Sequence, residues 1–477
     1  MRKTVKNTFW YALPFLVRNV IPLLSLPFFT RYLSPEDYGD LALSVIYAVL
    51  FVGILNLGLI TVFERNYFEQ ETDKDRYQLM WTCLLFVGFF LGCGAILTYQ
   101  LEEISSKILF QKQLPKGLIS LSFIHLGAKS LLQYFYISLR NANKATPYAI
   151  ISTLEALLCV FLSVYFVFDQ KGIMGFVQGQ AFGVCLLVCF LGIKEMLNRN
   201  ISFNFRLLSA NLNLSLPLTP RVFFGVINTQ FDRYMLSIIG TQGGVGIYDI
   251  AQKIANIGFL FSTVLQQVFA PQVYNKYFQK PEQFSKDIGV YLAPFFFVSL
   301  LFSFVLGLFG QEIIFLLTAP AFYDAYPVVI ILNMLYVTYL FGKQPQLLLA
   351  KKVKLIAYLS FLSLVLNIAI NIPLIHLYGV IGAAWGTYIS GMAASLCSFY
   401  FAQKFAKIDY YKSIYFNFGF FQLAMFVLVL LWYYEVDYTI VFIYKISCLI
   451  IFISLAFKSG LINSSFFREL TLQLKNK

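Results

Sequence analysis

Charged residues are scarce in this chain of 477 residues. Asp, Glu, Lys and Arg together make up 12% of it, whereas hydrophobic residues make up 59%. Soluble globular domains contain about 25% charged residues, so this composition excludes an ordinary soluble domain. The mean hydropathy of +0.72 indicates that lipid is the natural surrounding of most side chains.

Residue types that build common catalytic and metal sites are also scarce or missing. Two histidines leave little room for a His-based proton relay, and the chain has no Walker A sequence and no nucleophile elbow. The seven cysteines all fall within apolar segments, which argues against a disulfide framework. No predicted outer loop is long enough to carry catalytic groups. We therefore expect a transporter and not an enzyme, with no metal or organic cofactor.

Long apolar segments dominate what is present. At about 20 apolar residues per membrane-spanning helix, the sequence predicts an all-α integral membrane protein with about fourteen spans. The predicted spans are 9–33, 38–64, 79–101, 116–139, 147–168, 172–195, 211–239, 244–274, 287–309, 323–349, 354–377, 379–403, 413–434 and 438–458.

Lysines and arginines indicate how these spans are oriented, because cytoplasmic loops of membrane proteins are enriched in both residue types. With a cytoplasmic N-terminus, twenty-four of the 36 basic residues fall in inside loops or tails, and seven fall within spans. Five fall outside: Arg31, Lys107, Lys112, Lys116 and Lys171. The asymmetry predicts that both termini are cytoplasmic. It also explains the net charge of +13 without a nucleic-acid partner.

An internal repeat divides the chain. Residues 30–33 recur as 232–235, and residues 172–175 recur as 379–382. Each repeat would contain six helices, so the two halves share one orientation and are related by a pseudo-twofold axis along the membrane normal. The predicted domains are two six-helix lobes, followed by two further helices with a cytoplasmic tail: 1–206, 207–407 and 408–477.

Basic residues within the spans are the first candidates for a binding site, since a charge at the bilayer centre costs roughly 3 kcal/mol on insertion scales unless it faces a cavity or a partner. Arg18 lies about nine residues, or about 14 Å, inside the first span. Arg221 lies at a similar depth in the matching helix of the second half, and neither has an acid within one helical turn. We expect the two arginines to form a cationic floor for a phosphorylated ligand, because guanidinium groups bind phosphate oxygens bidentately.

Other charged residues within the spans extend this list. The further substrate-binding candidates are Lys129, Arg233 and Lys253, and the ion-coupling candidates are Asp232, Asp249 and Glu155. Lys253 follows Asp249 by four residues, which suits an in-helix ion pair at least as well as a ligand contact. Lys343 and Lys445 are expected to extend to the membrane interface instead.

Prolines interrupt the first and the seventh spans. Pro14, Pro22 and Pro27 fall in the first, and Pro217 and Pro220 fall in the seventh. Proline removes a backbone hydrogen bond and bends a helix. Broken helices at matching positions of two repeats are typical of moving, substrate-lining elements, although prolines are also common in membrane helices in general.

Three motifs carry a resemblance to a known family. Residues 27–39, Pro-Phe-Phe-Thr-Arg-Tyr-Leu-Ser-Pro-Glu-Asp-Tyr-Gly, resemble the opening signature of the bacterial polysaccharide transporter family. Residues 232–234 followed by 246–248 resemble its second-half counterpart, and 378–384 resemble its late glycine motif. The resemblance covers essentially the whole chain and extends to the multidrug/oligosaccharidyl-lipid/polysaccharide exporter superfamily.

The resemblance implies two six-helix lobes that face each other across a cationic cavity. It also implies transport by alternating access, with coupling to H⁺ or Na⁺ as often proposed for the family. It maps the cavity's basic residues onto Arg18 and Arg221, and less closely onto Lys253 and Lys129. The implied function is a flippase that carries undecaprenyl-diphosphate-linked oligosaccharide repeat units, precursors of O-antigen, capsule or exopolysaccharide, across the bacterial inner membrane. The implied partners are this polyprenyl-linked oligosaccharide, membrane lipid, and polysaccharide polymerase and chain-length proteins.

Two transporter alternatives on the same fold stay open. A multidrug antiporter for cationic drugs would need acids in its cavity, whereas the spans of this chain hold more bases than acids. A flippase for peptidoglycan precursors would differ mainly in the head group that it carries.

The predicted orientation can be tested with reporter fusions. Alkaline phosphatase, which is active only outside the cytoplasm, should be active when fused after Lys112 and inactive when fused after Arg206. The opposite pattern, or equal activity at both points, would contradict the predicted topology.

Overall fold

A computed structural model describes residues 17–198, 201–279, 284–342, 346–350 and 352–458 of the chain. These residues form helices joined by short turns, and no β-strand occurs among them. A helix satisfies its own backbone hydrogen bonds, which an apolar chain in lipid requires. The predicted all-α class is confirmed.

Contacts divide the chain into two units, Met1–Gly246 and Ile247–Lys477. The helices of unit 1 are α1 (17–24), α2 (Leu26–Tyr32), α3 (Pro35–Leu55), α4 (Leu59–Asn66), α5 (Asp73–Phe110), α6 (Leu118–Asn141), α7 (Ala145–Phe166), α8 (Gly172–Asn198), α9 (Phe205–Ser215) and α10 (Thr219–Ile239). A single π-helical turn, Val167–Lys171, joins α7 to α8.

Unit 2 begins within α11 (Gln242–Gln279). Its further helices are α12 (Phe284–Leu308), α13 (Gly310–Leu317), α14 (Ala325–Gly342), α15 (Gln346–Leu349), α16 (Val353–Phe405), α17 (Lys412–Tyr433) and α18 (Tyr438–Lys458). The lobes predicted to end at 206 and 407 are defined by the internal sequence repeat, whereas the two units are defined by contacts between residues. The lobes therefore remain a prediction.

Eight of the described helices are long and apolar enough to cross a membrane, and the apolar helix Ala325–Phe341 is shorter. One of the eight, the stretch within α16, is 52 residues long and contains two predicted spans. They meet at Gly379, whose backbone has φ 57° and ψ −127° and is not helical. The chain is thus a multi-pass membrane protein, and the number fourteen remains a prediction.

Helix breaks occur in both proline-containing spans, although Pro22 lies within α1 and Pro220 within the first turn of α10. A turn at Ser25 separates α1 from α2, and Pro27 lies in the first turn of α2. In the seventh predicted span, a 3₁₀ turn, Leu216–Leu218, contains Pro217 and separates α9 from α10. Pro14 lies outside the described residues. Both breaks follow from the missing proline N–H and its fixed φ.

The motif of residues 27–39 has a structural explanation in the start of α3. Ser34 caps this helix, because its hydroxyl accepts the Asp37 N–H while the Asp37 carboxylate accepts the Ser34 N–H. Pro35 occupies the first helical turn, where its missing N–H costs nothing. Gly39 faces the Gln242 carbonyl so closely that a Cβ atom would overlap it. The motif therefore fixes both the start of α3 and its contact with the start of α11.

Three glycines spaced four residues apart let α7 and α8 pack closely. A Cβ atom at Gly179 would overlap the Ser163 backbone, and one at Gly183 would lie 3.0 Å from the Cys159 Cα. Gly175 makes the same kind of contact with the end of α7. Small residues at this spacing allow helix backbones to approach within a membrane, where packing replaces the hydrophobic effect.

Adding one methyl group to this stripe should destabilise the fold. We expect Gly179→Ala to cost about 1–3 kcal/mol, as overpacking typically does, measured as the free energy of unfolding of the purified chain in micelles. Gly192→Ala on the same helix is the matched control, because no atom lies within 4 Å of a Cβ there and alanine is the better helix former. Equal stability of the two variants would contradict the close packing.

Candidate functional site

The best-defined charged site of unit 1 lies where α1, α6 and α7 meet. The Nη2 atom of Arg18 donates to the Oε2 atom of Glu155 at 2.9 Å. Tyr136 donates its hydroxyl to the same oxygen at 2.6 Å, and its ring lies under the guanidinium with 4.3 Å between the Arg18 Cζ and the ring centroid. We call Arg18, Tyr136 and Glu155 the Arg18 triad.

Burial is unequal within the Arg18 triad. The Glu155 side chain is 6% exposed, whereas that of Arg18 is 27% exposed. A buried carboxylate needs a charged or hydrogen-bonding partner, and here it has both. The arginine is the member that solvent or a ligand can reach.

The glycine stripe of α8 positions this carboxylate. Glu155 lies one turn before Cys159, the residue against which Gly183 packs, so the tight contact between α7 and α8 fixes the face of α7 that carries Glu155. Tyr136 comes from α6, which packs against α8 as well. The triad therefore rests on a rigid three-helix support.

The triad leaves Arg18 with unused donors. A guanidinium carries five N–H groups, and one of its nitrogens bonds Glu155. The Nε atom is buried and has no hydrogen-bond partner among the described residues. An anionic ligand can therefore bind the remaining donors, or it can compete with Glu155 for the whole group.

This pairing joins two residues that the sequence treats as separate candidates. The sequence shows no acid within one helical turn of Arg18, and it makes Glu155 a candidate for ion coupling. The two side chains are instead joined across 137 residues of sequence. Sequence spacing cannot show such a pair. The available signal was the presence of one isolated acid within an apolar helix, which requires a partner of opposite charge.

Lys129 lies on the same face of α6 as Tyr136, because seven residues make close to two helical turns. It is half-buried, and it forms no ion pair with any residue that the structure describes. One turn earlier, His125 has a buried Nδ1 atom without a hydrogen-bond partner in the same described part of the chain. Lys129 thus extends the polar face of α6 by about 10 Å along the helix axis.

The remaining predicted residues fall on α10 and α11. Lys253 and Asp249 form the expected in-helix ion pair, with 2.7 Å between Nζ and Oδ2. Arg233 donates to the Gln230 side chain at 2.8 Å, and Asp232 beside it is buried. Arg221 lies on α10, but its side chain is outside the described residues.

Lys445 forms an ion pair that the sequence did not predict. Its side chain is fully buried, and Nζ lies 2.7 Å from the Glu312 Oε1 atom. The partner acid comes from α13, 133 residues away, so sequence spacing gave no sign of it. Lys343 lies outside the described residues. No group of three or more His, Cys, Asp or Glu side chains suited to a metal ion occurs in the described part of the chain.

Comparison with known sequences supports the transporter interpretation. A family described as polysaccharide biosynthesis protein matches residues 4–275, which is more than half of the chain. A probable low-salt glycan biosynthesis flippase, Agl15 of Haloferax volcanii, is 27% identical over 195 residues, covering 40% of this chain and 41% of that protein. The capsular polysaccharide biosynthesis protein CapF of Staphylococcus aureus is 23% identical over 427 residues, covering 84% of this chain and 99% of that one.

Solved structures of two transporters have a similar fold. The lipid II flippase MurJ in an inward closed conformation superposes with a TM-score of 0.70 at 16% identity, covering 96% of this chain and 100% of that one. An inward-facing multidrug resistance transporter of the MATE family superposes with a TM-score of 0.57 at 14% identity, over 83% and 97% of the two chains. These similarities confirm the predicted fold, and the family match confirms the resemblance that the motifs indicate.

The Arg18–Glu155 ion pair should be energetically coupled. In a double-mutant cycle with Arg18→Met and Glu155→Gln, we expect a coupling energy of about 1–3 kcal/mol in the free energy of unfolding. The exposed pair Arg65–Glu69 is the matched control, and exposed pairs of this spacing give about 0.3–0.5 kcal/mol. A coupling energy no larger than that of the control pair would contradict a structural link between α1 and α7.

Proposed function

We propose, since the chain belongs to the family of polysaccharide biosynthesis proteins, that it is a flippase for a lipid-linked oligosaccharide. The substrate we propose is an undecaprenyl-diphosphate-linked repeat unit, a precursor of O-antigen, capsule or exopolysaccharide. It would move from the inner to the outer leaflet of the bacterial inner membrane by alternating access. Both termini would be cytoplasmic, and a polysaccharide polymerase and chain-length proteins would receive the product.

The observation that carries the proposal is the state of Arg18. It lies in the first predicted span, is partly exposed, and keeps donors that Glu155 does not use. Arginine binds phosphate oxygens through two parallel N–H bonds, so the diphosphate of the lipid carrier is the substrate group that it would recognise. Arg221 on α10 and Lys129 on α6 are proposed to bind the same head group.

Glu155 is our proposed coupling residue. While it is ionised, it competes with the diphosphate for the Arg18 guanidinium. Protonation would remove that competition and strengthen substrate binding, and release of the proton would weaken it. Sodium ions would have the same effect by neutralising the carboxylate. H⁺ or Na⁺ would therefore bind together with the substrate.

The membrane potential would favour the proposed direction of transport. A charge that crosses a potential of 100 mV changes its free energy by about 2.3 kcal/mol. In a cell that is negative inside, an anionic head group gains free energy on moving outward. This free energy would drive outward transfer without an ion gradient, whereas an inward H⁺ or Na⁺ gradient would oppose it, because the cation binds together with the substrate.

The pairing of the acids distinguishes this proposal from a multidrug antiporter. Cationic drugs would need unpaired carboxylates, whereas Glu155 and Asp249 are each paired with a basic residue. A peptidoglycan-precursor flippase would bind the same diphosphate through the same arginine. The attached sugar distinguishes it, so the test must follow the glycan.

The proposal can be tested by measuring lipid-linked repeat units in each leaflet of cells. Cells without the chain should accumulate repeat units in the inner leaflet, and the unaltered chain should restore outward transfer. Arg18→Ala should lower the transfer rate about tenfold or more, the equivalent of one lost charge-assisted contact of about 1.5–3 kcal/mol. Arg221→Ala should have a similar effect. Arg18→Lys should retain only part of the transfer rate of the unaltered chain.

Arg65→Ala is the control, since Arg65 forms an exposed ion pair away from the triad. It should transport at the unaltered rate. Normal leaflet distribution in cells without the chain would overturn the flippase assignment. Normal transport by both Arg18→Ala and Arg221→Ala would overturn the site assignment alone.

A further inference from the structure

A second polar site lies at one end of unit 2, where α13, α14, α17 and α18 meet. These elements enclose a cavity of about 220 Å³ whose wall includes Gln311, Tyr326, Trp432, Glu435 and Tyr438. Drug-sized ligand sites measure about 300–1,000 Å³, so this cavity suits a smaller guest, such as one sugar ring. The charge pattern of the sequence predicts that this end of the unit faces the outside of the cell.

A buried ion pair, Lys445–Glu312, is hydrogen-bonded to two residues of the cavity wall, Gln311 and Tyr438. The Lys445 ammonium donates to Glu312 at 2.7 Å and to the side-chain Oε1 atom of Gln311 at 3.3 Å. Tyr438 donates its hydroxyl to the same Glu312 oxygen at 2.9 Å. The aromatic rings of Tyr326 and Tyr438 lie 5.7 Å and 5.6 Å from the ammonium. This network holds the residues of the wall in fixed positions.

Two groups of the wall keep unused hydrogen-bonding capacity. Tyr326 is 3% exposed, and its buried hydroxyl has no hydrogen-bond partner among the described residues. Lys445 donates to the side-chain Oε1 atom of Gln311, which leaves the side-chain N–H groups of Gln311 for a ligand. A buried hydroxyl without a partner costs about 1–3 kcal/mol, so a guest that bonds Tyr326 recovers this loss.

The charges of the site select against anions. Lys445 and Glu312 neutralise each other, and Glu435 adds one negative charge to the wall. The site therefore repels phosphate and favours a neutral or cationic guest. A quaternary cation cannot hydrogen-bond the Tyr326 hydroxyl or the Gln311 amide, whereas neighbouring sugar hydroxyls donate and accept at once. Trp432 offers an apolar ring surface for the C–H face of a sugar.

We propose that this cavity binds one neutral pyranose ring of the transported glycan. The site would recognise the sugar part of the substrate, separately from the diphosphate at Arg18. This assignment rests on the proposed flippase function for the identity of the glycan. It also gives the C-terminal helices α17 and α18 a role in substrate recognition.

Sugar binding can be measured directly by saturation-transfer NMR on the purified full-length chain in micelles. The probes are the methyl glycosides of glucose, galactose and N-acetylglucosamine, with glucuronate as the anionic probe and tetramethylammonium as the cationic probe. We expect transfer to at least one neutral glycoside and none to glucuronate. Tyr326→Phe should weaken that binding about fivefold, the effect of one lost hydrogen bond, and Trp432→Leu should abolish it.

Tyr388→Phe is the matched control, because Tyr388 donates to Gln422 in the same unit and does not line the cavity. It should bind the glycoside as the unaltered chain does. Thermal unfolding of each variant separates lost binding from lost folding. If Tyr326→Phe unfolds, Gln311→Leu replaces it, with the same expected loss.

Three outcomes would overturn the sugar site. They are equal glycoside binding by Tyr326→Phe and the unaltered chain, no transfer to any neutral glycoside, and displacement of the bound glycoside by tetramethylammonium. The leaflet measurement distinguishes this failure from failure of the flippase proposal. Outward transfer without glycoside binding rejects only the sugar site, whereas glycoside binding without outward transfer rejects only the flippase.

Discussion

An ionic group inside an apolar helix is stabilised by a partner of opposite charge, and one such pair organises the polar site of each unit. In unit 1 the carboxylate of Glu155 gathers Arg18 and Tyr136 from two other helices. In unit 2 the ammonium of Lys445 gathers Glu312 and Gln311 in the same way. Removing one member of such a pair leaves a buried charge, which costs more than the pair itself contributes. The few charged residues of the spans therefore fix helix positions that uniform apolar packing would leave undetermined.

Close backbone contacts supply the second constraint. The glycines of α8 allow α7 to approach, and Gly39 allows the starts of α3 and α11 to meet. Each contact leaves no room for a side chain. The two features are connected, because the α7–α8 contact orients the helix face that carries Glu155. Charge pairing and glycine packing thus act on the same helices.

Local features of the fold were predictable from the sequence, since they depend on neighbouring residues. The helix breaks at Pro27 and Pro217, the i,i+4 pair Asp249–Lys253 and the division of α16 at Gly379 all follow from short patterns. The partners of Arg18 and Lys445 were not predictable, because they lie 137 and 133 residues away. One sequence shows that a buried charge needs a partner, but the packing of distant helices decides which partner it finds.

The length of α5 has a consequence for the membrane around the protein. Its 38 residues correspond to about 57 Å at 1.5 Å per residue, whereas the hydrocarbon core is about 30 Å thick. Even a tilt of 40° accommodates only about 39 Å of helix. Near its end, Glu102 accepts the Ile119 N–H and the Ser120 hydroxyl, which holds the overhang in place. In a bilayer with longer acyl chains, the thicker hydrocarbon core would cover more of α5 and bring the charged Glu103 close to it. The thickness of the bilayer would therefore influence the tilt of α5.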